Sequence, residues 1–523
     1  MLTLAGLIAL PAVASASAGK APSDLNSKIE EMSRQIEALK AQMAQQNESI
    51  SEYGDTVDDM NDILDEKSEA WDLAARFKFY GDFRARMDYY SSSGADFINP
   101  MTGQVQSGPD FNNDTLFTNR FRLNVKVNAT EHVNFHGRLA MYKVWGMESY
   151  ARNDQQTWWP QFDGNSTRTP SDNALRVDRA FVNWTDIGGM PLWFSVGRRP
   201  TTDGPPTQTR LGTDMRMASP LAYMDYAFDG LTLGYVYQWG NQAMGTGRVR
   251  LCYGRGFENG LQGDNQANLL DDTDFTGFIW DVMKKGPRAL HLQSFAALNM
   301  FNYPNFQDPI INASAPLQNG PRITEGNIYH TSALYEDKVS NLNYFLAGGW
   351  SRTDPGGHGM FNDFATAMIP QPDGSMQPNP NWRPNTNSED GYNVYAGIRY
   401  DLNDVGLKLG AEYNYGSEYW IAFTPAHDDM YLSKLGTRGS VAELYMIYDL
   451  PTGEAVSKYA KTFVRLGYQH YWFDYTGVDW NVKPYDTDDA GMMTAAYNIA
   501  GQSGGAMPVE SADQVYLTLD VFF

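Results

Sequence analysis

Between Arg76 and Tyr89 the residues alternate without a break. Phe77, Phe79, Gly81, Phe83, Ala85, Met87 and Tyr89 fall on one face, and Arg76, Lys78, Tyr80, Asp82, Arg84, Arg86 and Asp88 on the other. A two-residue period marks a β-strand, whose successive side chains point to opposite sides. Strands of soluble sheets usually run about 5–6 residues, and this one is longer. Its charged face must meet water, while its apolar face needs lipid or a second sheet. The same pattern returns in Arg120–Ala129, Val133–Tyr142, Tyr392–Asp401 and Leu407–Tyr415, so the chain is expected to be a sandwich or a barrel.

Connection lengths favour the barrel. Short turns at Thr130–His132, Lys284–Pro287 and Asn403–Asp404 alternate with long polar segments at Ser91–Leu116, Gly146–Asn173, Tyr303–Glu325, Asp354–Asp390 and Val478–Asp513. Bacterial outer-membrane barrels have short periplasmic turns and long external loops. The expected architecture is an all-β transmembrane barrel of about sixteen antiparallel strands over residues 76–523. An even strand number puts both ends of the barrel segment on the periplasmic side. Strand placement is hardest around Ala218–Phe257, where alternation is poor. Mean hydropathy of −0.47 excludes a bundle of transmembrane helices. It does not exclude a barrel, in which only alternate residues meet lipid.

The N-terminal seventh follows another rule. Residues 1–18 are apolar, broken by Pro11, and end in overlapping small-residue sites at Ala14–Ala18, which reads as a signal peptide cleaved after Ala16 or Ala18. From Leu25 the apolar residues step by four and three. Ile29, Ile36, Met43, Ile50, Val57 and Leu64 form one seam, and Leu25, Met32, Leu39, Tyr53 and Met60 the other, with Gln46 the polar intruder. A sustained 3.5-residue period predicts an α-helical coiled coil over residues 19–64 and hence a homo-oligomer. Residues 65–75 then form a linker. A single amphipathic helix on the protein's own surface is the alternative.

Aromatic content of 13%, with 31 Tyr and 13 Trp, suits the girdles that barrels place at the two membrane interfaces. A net charge of −22 argues against nucleic acid as a partner. The lone Cys252 allows no internal disulfide, no thiolate cluster and no covalent haem attachment. No cofactor or resident metal is implied. The acidic runs Asp271–Asp274 and Asp486–Asp489 lack the glycine and terminal glutamate of an EF-hand and read as solvated surface. Gly501-Gln-Ser503-Gly-Gly505 matches a nucleophile-elbow pattern, but it falls in an expected loop and not at a strand-to-helix turn, so no catalytic residue is assigned.

The last ten residues alternate again, with Val515, Leu517, Leu519, Val521 and Phe523 on one face. A final strand ending in phenylalanine resembles the signal read by the outer-membrane barrel assembly machinery. Together with the signal peptide and heptads, the layout resembles Gram-negative porins with a periplasmic stalk. Val177-Asp-Arg-Ala-Phe-Val-Asn-Trp184 and Gly197-Arg-Arg-Pro-Thr-Thr-Asp-Gly-Pro-Pro206 resemble a family of porins from metal- and sulfur-respiring bacteria. This resemblance implies an outer-membrane barrel with its stalk in the periplasm, trimeric as porins are. It implies nothing on the solute, and no lysine-rich loop of the phosphate-selective kind is present.

Phase places Lys78, Asp82, Arg84, Arg86, Arg120, Arg122, Lys126, Arg138 and Arg179 on the lumen side of the first four strands. A basic wall there would set up a transverse field favouring anions or dipolar solutes. The competing expectation is that these arginines pair with Asp82, Asp88, Glu412 and Glu443 and simply pack the lumen. After the fifth strand, Arg198, Arg199, Arg210 and Arg216 lie in a Pro/Gly-rich segment reaching about Met217. In porins that loop can fold inward, and these four are candidates for a constriction; an ordinary surface loop is the alternative. The functional expectation is a porin and not an enzyme. Rivals are a sheath for a partner such as a multihaem cytochrome, and a barrel hydrolase using a wall histidine such as His136, His291, His330 or His470.

Overall fold

The computed structural model of the chain describes residues 27–45, 76–146, 173–199, 201–214, 216–259, 270–302, 323–370, 376–424, 433–453, 460–503 and 507–523. The chain divides into two units, Met1–Ala75 and Arg76–Phe523.

In the first unit residues 27–45 form one helix, α1. Its seam residues Ile29, Met32, Ile36, Leu39 and Met43 are 52–62% exposed. Among the described residues this unit shows one helix; a coiled coil, which needs the seam of another chain to cover this stripe, is not shown. The signal peptide, the heptads from Gln46 onward and the linker lie outside the described residues.

The second unit is a closed barrel. Its strands are β1 (Phe77–Gly94), β2 (Phe111–Asn128), β3 (Val133–Val144), β4 (Arg176–Trp184), β5 (Leu192–Arg198), β6 (Asp229–Gln238), β7 (Thr246–Phe257) and β8 (Thr273–Lys285). They continue as β9 (Arg288–Phe301), β10 (Thr324–Val339), β11 (Leu342–Pro355), β12 (Asp390–Leu402), β13 (Leu407–Gly416), β14 (Gly439–Asp449), β15 (Lys461–Phe473) and β16 (Val509–Phe522). Each strand lies beside the next, and β16 returns antiparallel to β1. Phe523 completes the closure: its N–H donates to the Gly81 carbonyl at 3.0 Å, and the Gly81 N–H donates to the Phe523 carbonyl at 2.8 Å.

Alternation decides which face goes where. Phe83 lies opposite Phe121 and Val521, and Arg84 opposite Arg120 and Asp520, so neighbouring strands keep one phase. A one-residue slip would turn every arginine outward. Asp82, Arg84, Arg86, Arg120 and Arg122 are buried inside. Outside, a belt including Phe79, Tyr89, Leu346, Ile398, Leu444 and Leu517 is exposed. Trp184, Tyr235, Tyr400 and Tyr448 ring the belt near the short turns. Trp145, Tyr392, Tyr415 and Trp472 ring the opposite end. An apolar band between two aromatic rings is what a barrel presents to lipid.

Two expected loops contain more structure than alternation suggests. The Ser91–Leu116 segment shortens because β1 continues to Gly94 and β2 begins at Phe111, with Ser92 paired to Phe111. The Val478–Asp513 segment holds a helix, α2 (Ala490–Ser503), whose Met493, Ala496 and Ile499 are buried with Phe364, Trp382 and Tyr485. Ser503 therefore ends a helix and does not sit at a strand-to-helix elbow. Around Ala218–Phe257 alternation is poor because 218–228 is not strand.

Some lumen-facing positions have no side chain because an aromatic ring covers them. Gly467 pairs with Tyr516 and Gly410 with Tyr445. A Cβ added there would lie 2.2 Å and 2.0 Å from the respective ring Cζ atoms. The ring lying across Gly467 brings the Tyr516 hydroxyl to Glu443, to which it donates at 2.5 Å. Gly467→Val is therefore expected to displace Tyr516 and cost about 1–3 kcal/mol, the usual range for overpacking. A lowered urea midpoint for loss of the compact barrel band on a gel would register it; an unchanged midpoint would show that the ring relocates freely.

Candidate functional site

The stretch from Arg199 to Phe228 joins β5 to β6 and is far longer than a turn requires. Pro205, Pro206 and Pro220 keep it from continuing the sheet. At Gly204 a Cβ would meet the Pro220 carbonyl at 1.8 Å, so glycine lets the outgoing and returning limbs pass each other. Asp203 takes a left-handed conformation (φ 63°), and its N–H donates to Asp225 at 2.9 Å. Residues 202–212 and 220–228 are buried. The segment folds inward, and its buried part continues beyond Met217 to Phe228.

The segment is bound at both ends. Near β5, the Asp203 carboxylate accepts from Arg122 of β2 at 2.7 Å and from Arg138 of β3 at 3.3 Å, with Arg179 of β4 3.7 Å away. Arg138 also donates to the Thr202 hydroxyl at 2.8 Å, and Arg179 to the Thr202 carbonyl at 2.9 Å. A register shift in the β3–β4 pairing lets both Asp178 and Arg179 engage the lumen side, where Asp178 pairs with Arg138. At the other end, Arg210 donates to Glu443 of β14 at 2.9 Å. Arg465 of β15 donates to the Arg210 carbonyl at 2.9 Å, and Arg399 of β12 to the Thr209 carbonyl at 3.0 Å. Gln208 donates to Glu336 of β10 at 2.8 Å, and Arg216 pairs with the same carboxylate. Because β4 and β12, which hold it through Arg179 and Arg399, are eight strands apart in a ring of sixteen, the segment crosses the lumen as a bar fixed to opposite walls.

The basic wall is interleaved with acid. Arg84 pairs with Asp520 at 2.7 Å, Arg86 with Asp88 at 2.7 Å, and Asp82 with both Arg120 at 2.7 Å and Arg122 at 2.8 Å. Glu412 and Glu443 stand on β13 and β14, four and three strands from β1 around the ring. They hold Lys434 instead, with Glu443 2.6 Å from it. Lys78 and Lys126 face each other across β1 and β2 near the barrel end, Lys78 exposed and Lys126 half-buried. Arg198 does not join the constriction. It takes the outward phase of Val196 and lies 3.4 Å from Asp229. Arg199 stacks over the rings of Phe181 and Trp193, 5.2 Å and 5.8 Å from their centroids.

Several residues of this site escape a reading based on the first four strands. Arg399, Asp401 and Arg465 are inward by the same alternation, and extending the phase to Tyr392–Asp401 and Lys461–Phe473 finds them. Lys434 sits in a short turn of 3₁₀ helix, where no periodicity marks it. Such buried networks hold their members in single positions, because each unpaired charge would be costly. What results is a rigid, charged partition across a lumen.

Among known proteins, residues 110–523 match the family described as "Protein of unknown function (DUF3373)". None of the curated proteins matches the chain. Among solved structures, Salmonella typhi OmpF in complex with daunomycin aligns with TM-score 0.41 and 11% identity, over 86% of this chain and 97% of that one. In-vitro folded OmpT, an outer membrane protein of Vibrio cholerae in its trimer form, aligns with TM-score 0.38 and 12% identity, over 86% and 99%. At these scores the barrel rests on the strand pairing of the chain itself.

Proposed function

The chain belongs to the DUF3373 family, and we propose that it is an outer-membrane porin through which small hydrophilic solutes or ions diffuse passively past the crossbar. The observation that carries this reading is the bar itself, held by charged groups of β2–β4 at one end and of β10–β15 at the other. A segment crossing a barrel narrows it, and fixed charges at a narrowing sort solutes by charge and dipole. The apolar belt outside supports placement in lipid, since closed barrels are the sheet structures able to span a bilayer.

The stalk, by the same reading, lies in the periplasm, and its exposed heptad stripe joins barrels as a trimer. Phe523 is offered to the assembly machinery as the last strand is added, and no catalytic step or cofactor is assigned. Kinship with the porins of metal- and sulfur-respiring bacteria is part of this proposal. Single-channel recording in a planar bilayer under a salt gradient tests it. Steady unitary steps are expected, with a reversal potential on the anion side set by the arginines of β2–β4. Silence from protein that migrates as a folded barrel would refute the porin reading.

A further inference from the structure

The wall is not uniformly stitched. β6 pairs with β7 and β8 with β9 along their lengths, but β7 and β8 share a single registered pair, Thr273 with Phe257. Continued in register, that pair would set Arg250 opposite Trp280. Arg250 instead donates to Asp281 at 2.7 Å, one residue further on. The inward set is Arg250, Cys252 and Gly254 on β7, against Phe275, Ile279 and Asp281 on β8. The two strands are thus one residue out of phase between the top of the seam and its middle, and such a slip disrupts the ladder of hydrogen bonds locally.

Side chains fasten the seam at each end. Arg248 and Arg250 both hold Asp281 at 2.7 Å below. Arg255 holds Asp272 and Asp274 at 2.6 Å above, and the Tyr253 hydroxyl donates to Asp274 at 2.7 Å. Between these clasps lies a half-open cavity with about 720 Å³ of atom-free space, the open solvent at its mouth included. Met224 and Phe228 of the crossbar segment line it with the inward Phe275 and Phe295; Tyr253 and Phe278, exposed on the lipid-facing belt, line it too. Its lining thus comes from both faces of the wall. Its polar groups include two guanidinium groups, Arg199 and the 1%-exposed Arg250. Arg199 Nη1 and Arg250 Nε and Nη1 are buried there without a hydrogen-bond partner among the described residues. Unsatisfied buried donors in a native structure call for an acceptor.

We propose that this cavity binds a long-chain fatty acid taken laterally from the membrane through the β7–β8 seam, its hydrocarbon chain against Met224, Phe228, Phe275 and Phe295 and its carboxylate on Arg199 and Arg250. An apolar lobe ending in two cations matches a single-chain amphiphile with an anionic head. Tyr253 and Phe278, on the outer side of the cavity, face the phase in which such molecules dissolve. This site rests on the barrel facing lipid and is independent of whether the lumen conducts.

Equilibrium binding of radiolabelled oleate to the full-length protein in phosphatidylcholine nanodiscs tests it, alongside oleyl alcohol as the uncharged counterpart. Wild type is expected to bind oleate saturably, one molecule per chain. Arg199→Gln should weaken oleate at least ten-fold while leaving oleyl alcohol unchanged. Ser219→Trp, which fills the cavity from the crossbar segment, should remove both, with the compact barrel band retained. Equal, unsaturable uptake by all three proteins would overturn the site. Equal loss of both ligands in Arg199→Gln would overturn the assignment of the carboxylate end, and recovery of a bound phospholipid in place of oleate by native mass spectrometry would overturn the ligand class. A conductance failure would leave all of these readouts intact, so the two proposals fail separately.

Discussion

Glu443→Leu is expected to be the most damaging single substitution in the lumen, lowering barrel stability by about 3–5 kcal/mol, the range for removing one partner of a buried ion pair. Glu443 is 1% exposed and touches three groups: Arg210 of the crossbar, Lys434 from the loop between β13 and β14, and the Tyr516 hydroxyl. Removing the carboxylate takes an ionic partner from the Arg210 guanidinium, which is itself 1% exposed, at a depth where water does not replace it. Lys434 keeps Glu412, so the loss falls mainly on the crossbar. Glu443→Gln retains an acceptor for Tyr516 and should lose less than Glu443→Leu. Chemical unfolding in detergent, followed by tryptophan emission and by gel mobility, separates the two variants. Coincident midpoints for wild type and Glu443→Leu would mean that the far end of the bar is held without this network.

The second large effect belongs to the other end. Asp203→Ala is expected to free the crossbar from Arg122 of β2 and to leave only the Thr202 bonds to Arg138 and Arg179 on β3 and β4, raising unitary conductance by roughly two-fold or more as the narrowing relaxes. It should also move the reversal potential further toward anions, because Arg122, Arg138 and Arg179 lose the carboxylate that sits among them. Asp203→Asn separates the contributions. The amide keeps the shape of the turn and removes the charge, so selectivity should shift while conductance changes little. If both variants conduct and select as wild type does, permeating ions do not pass Asp203, and the bar divides the lumen without forming its narrowest point.

The readable parts of this protein are those set by neighbours along the chain. The alternation of Phe77–Tyr89 specifies both a strand and its inward face, since side-chain direction in a strand depends only on residue parity. Pro205, Pro206 and Gly204 announce that the chain leaves the sheet after β5, because they restrict or free the backbone where they stand. Arg198 shows the limit of reading charge by composition: it adjoins Arg199 in the same motif, yet it keeps the strand's outward phase and pairs with Asp229. Helix α2 was illegible because Ala490–Ser503 lacks a clear apolar stripe. It buries Met493, Ala496 and Ile499 against partners supplied by Phe364, Trp382 and Tyr485, which no local pattern announces.

By itself, then, the sequence determined a strand-rich chain with a charged inner and an apolar outer face, a heptad segment ahead of it, and an irregular, arginine-bearing stretch after the fifth strand. Each is a periodicity or its interruption, legible within a window of a few residues. Only the closed barrel decided which charges meet. Arg210 finds Glu443 across 233 positions of sequence, and Arg122 finds Asp203 across 81. Those meetings follow from the register in which sixteen strands close, from the direction in which one loop turns, and from the desolvation that makes an unpaired charge untenable inside. The slip between β7 and β8 is decided the same way, since the mismatch exists only between the two strands.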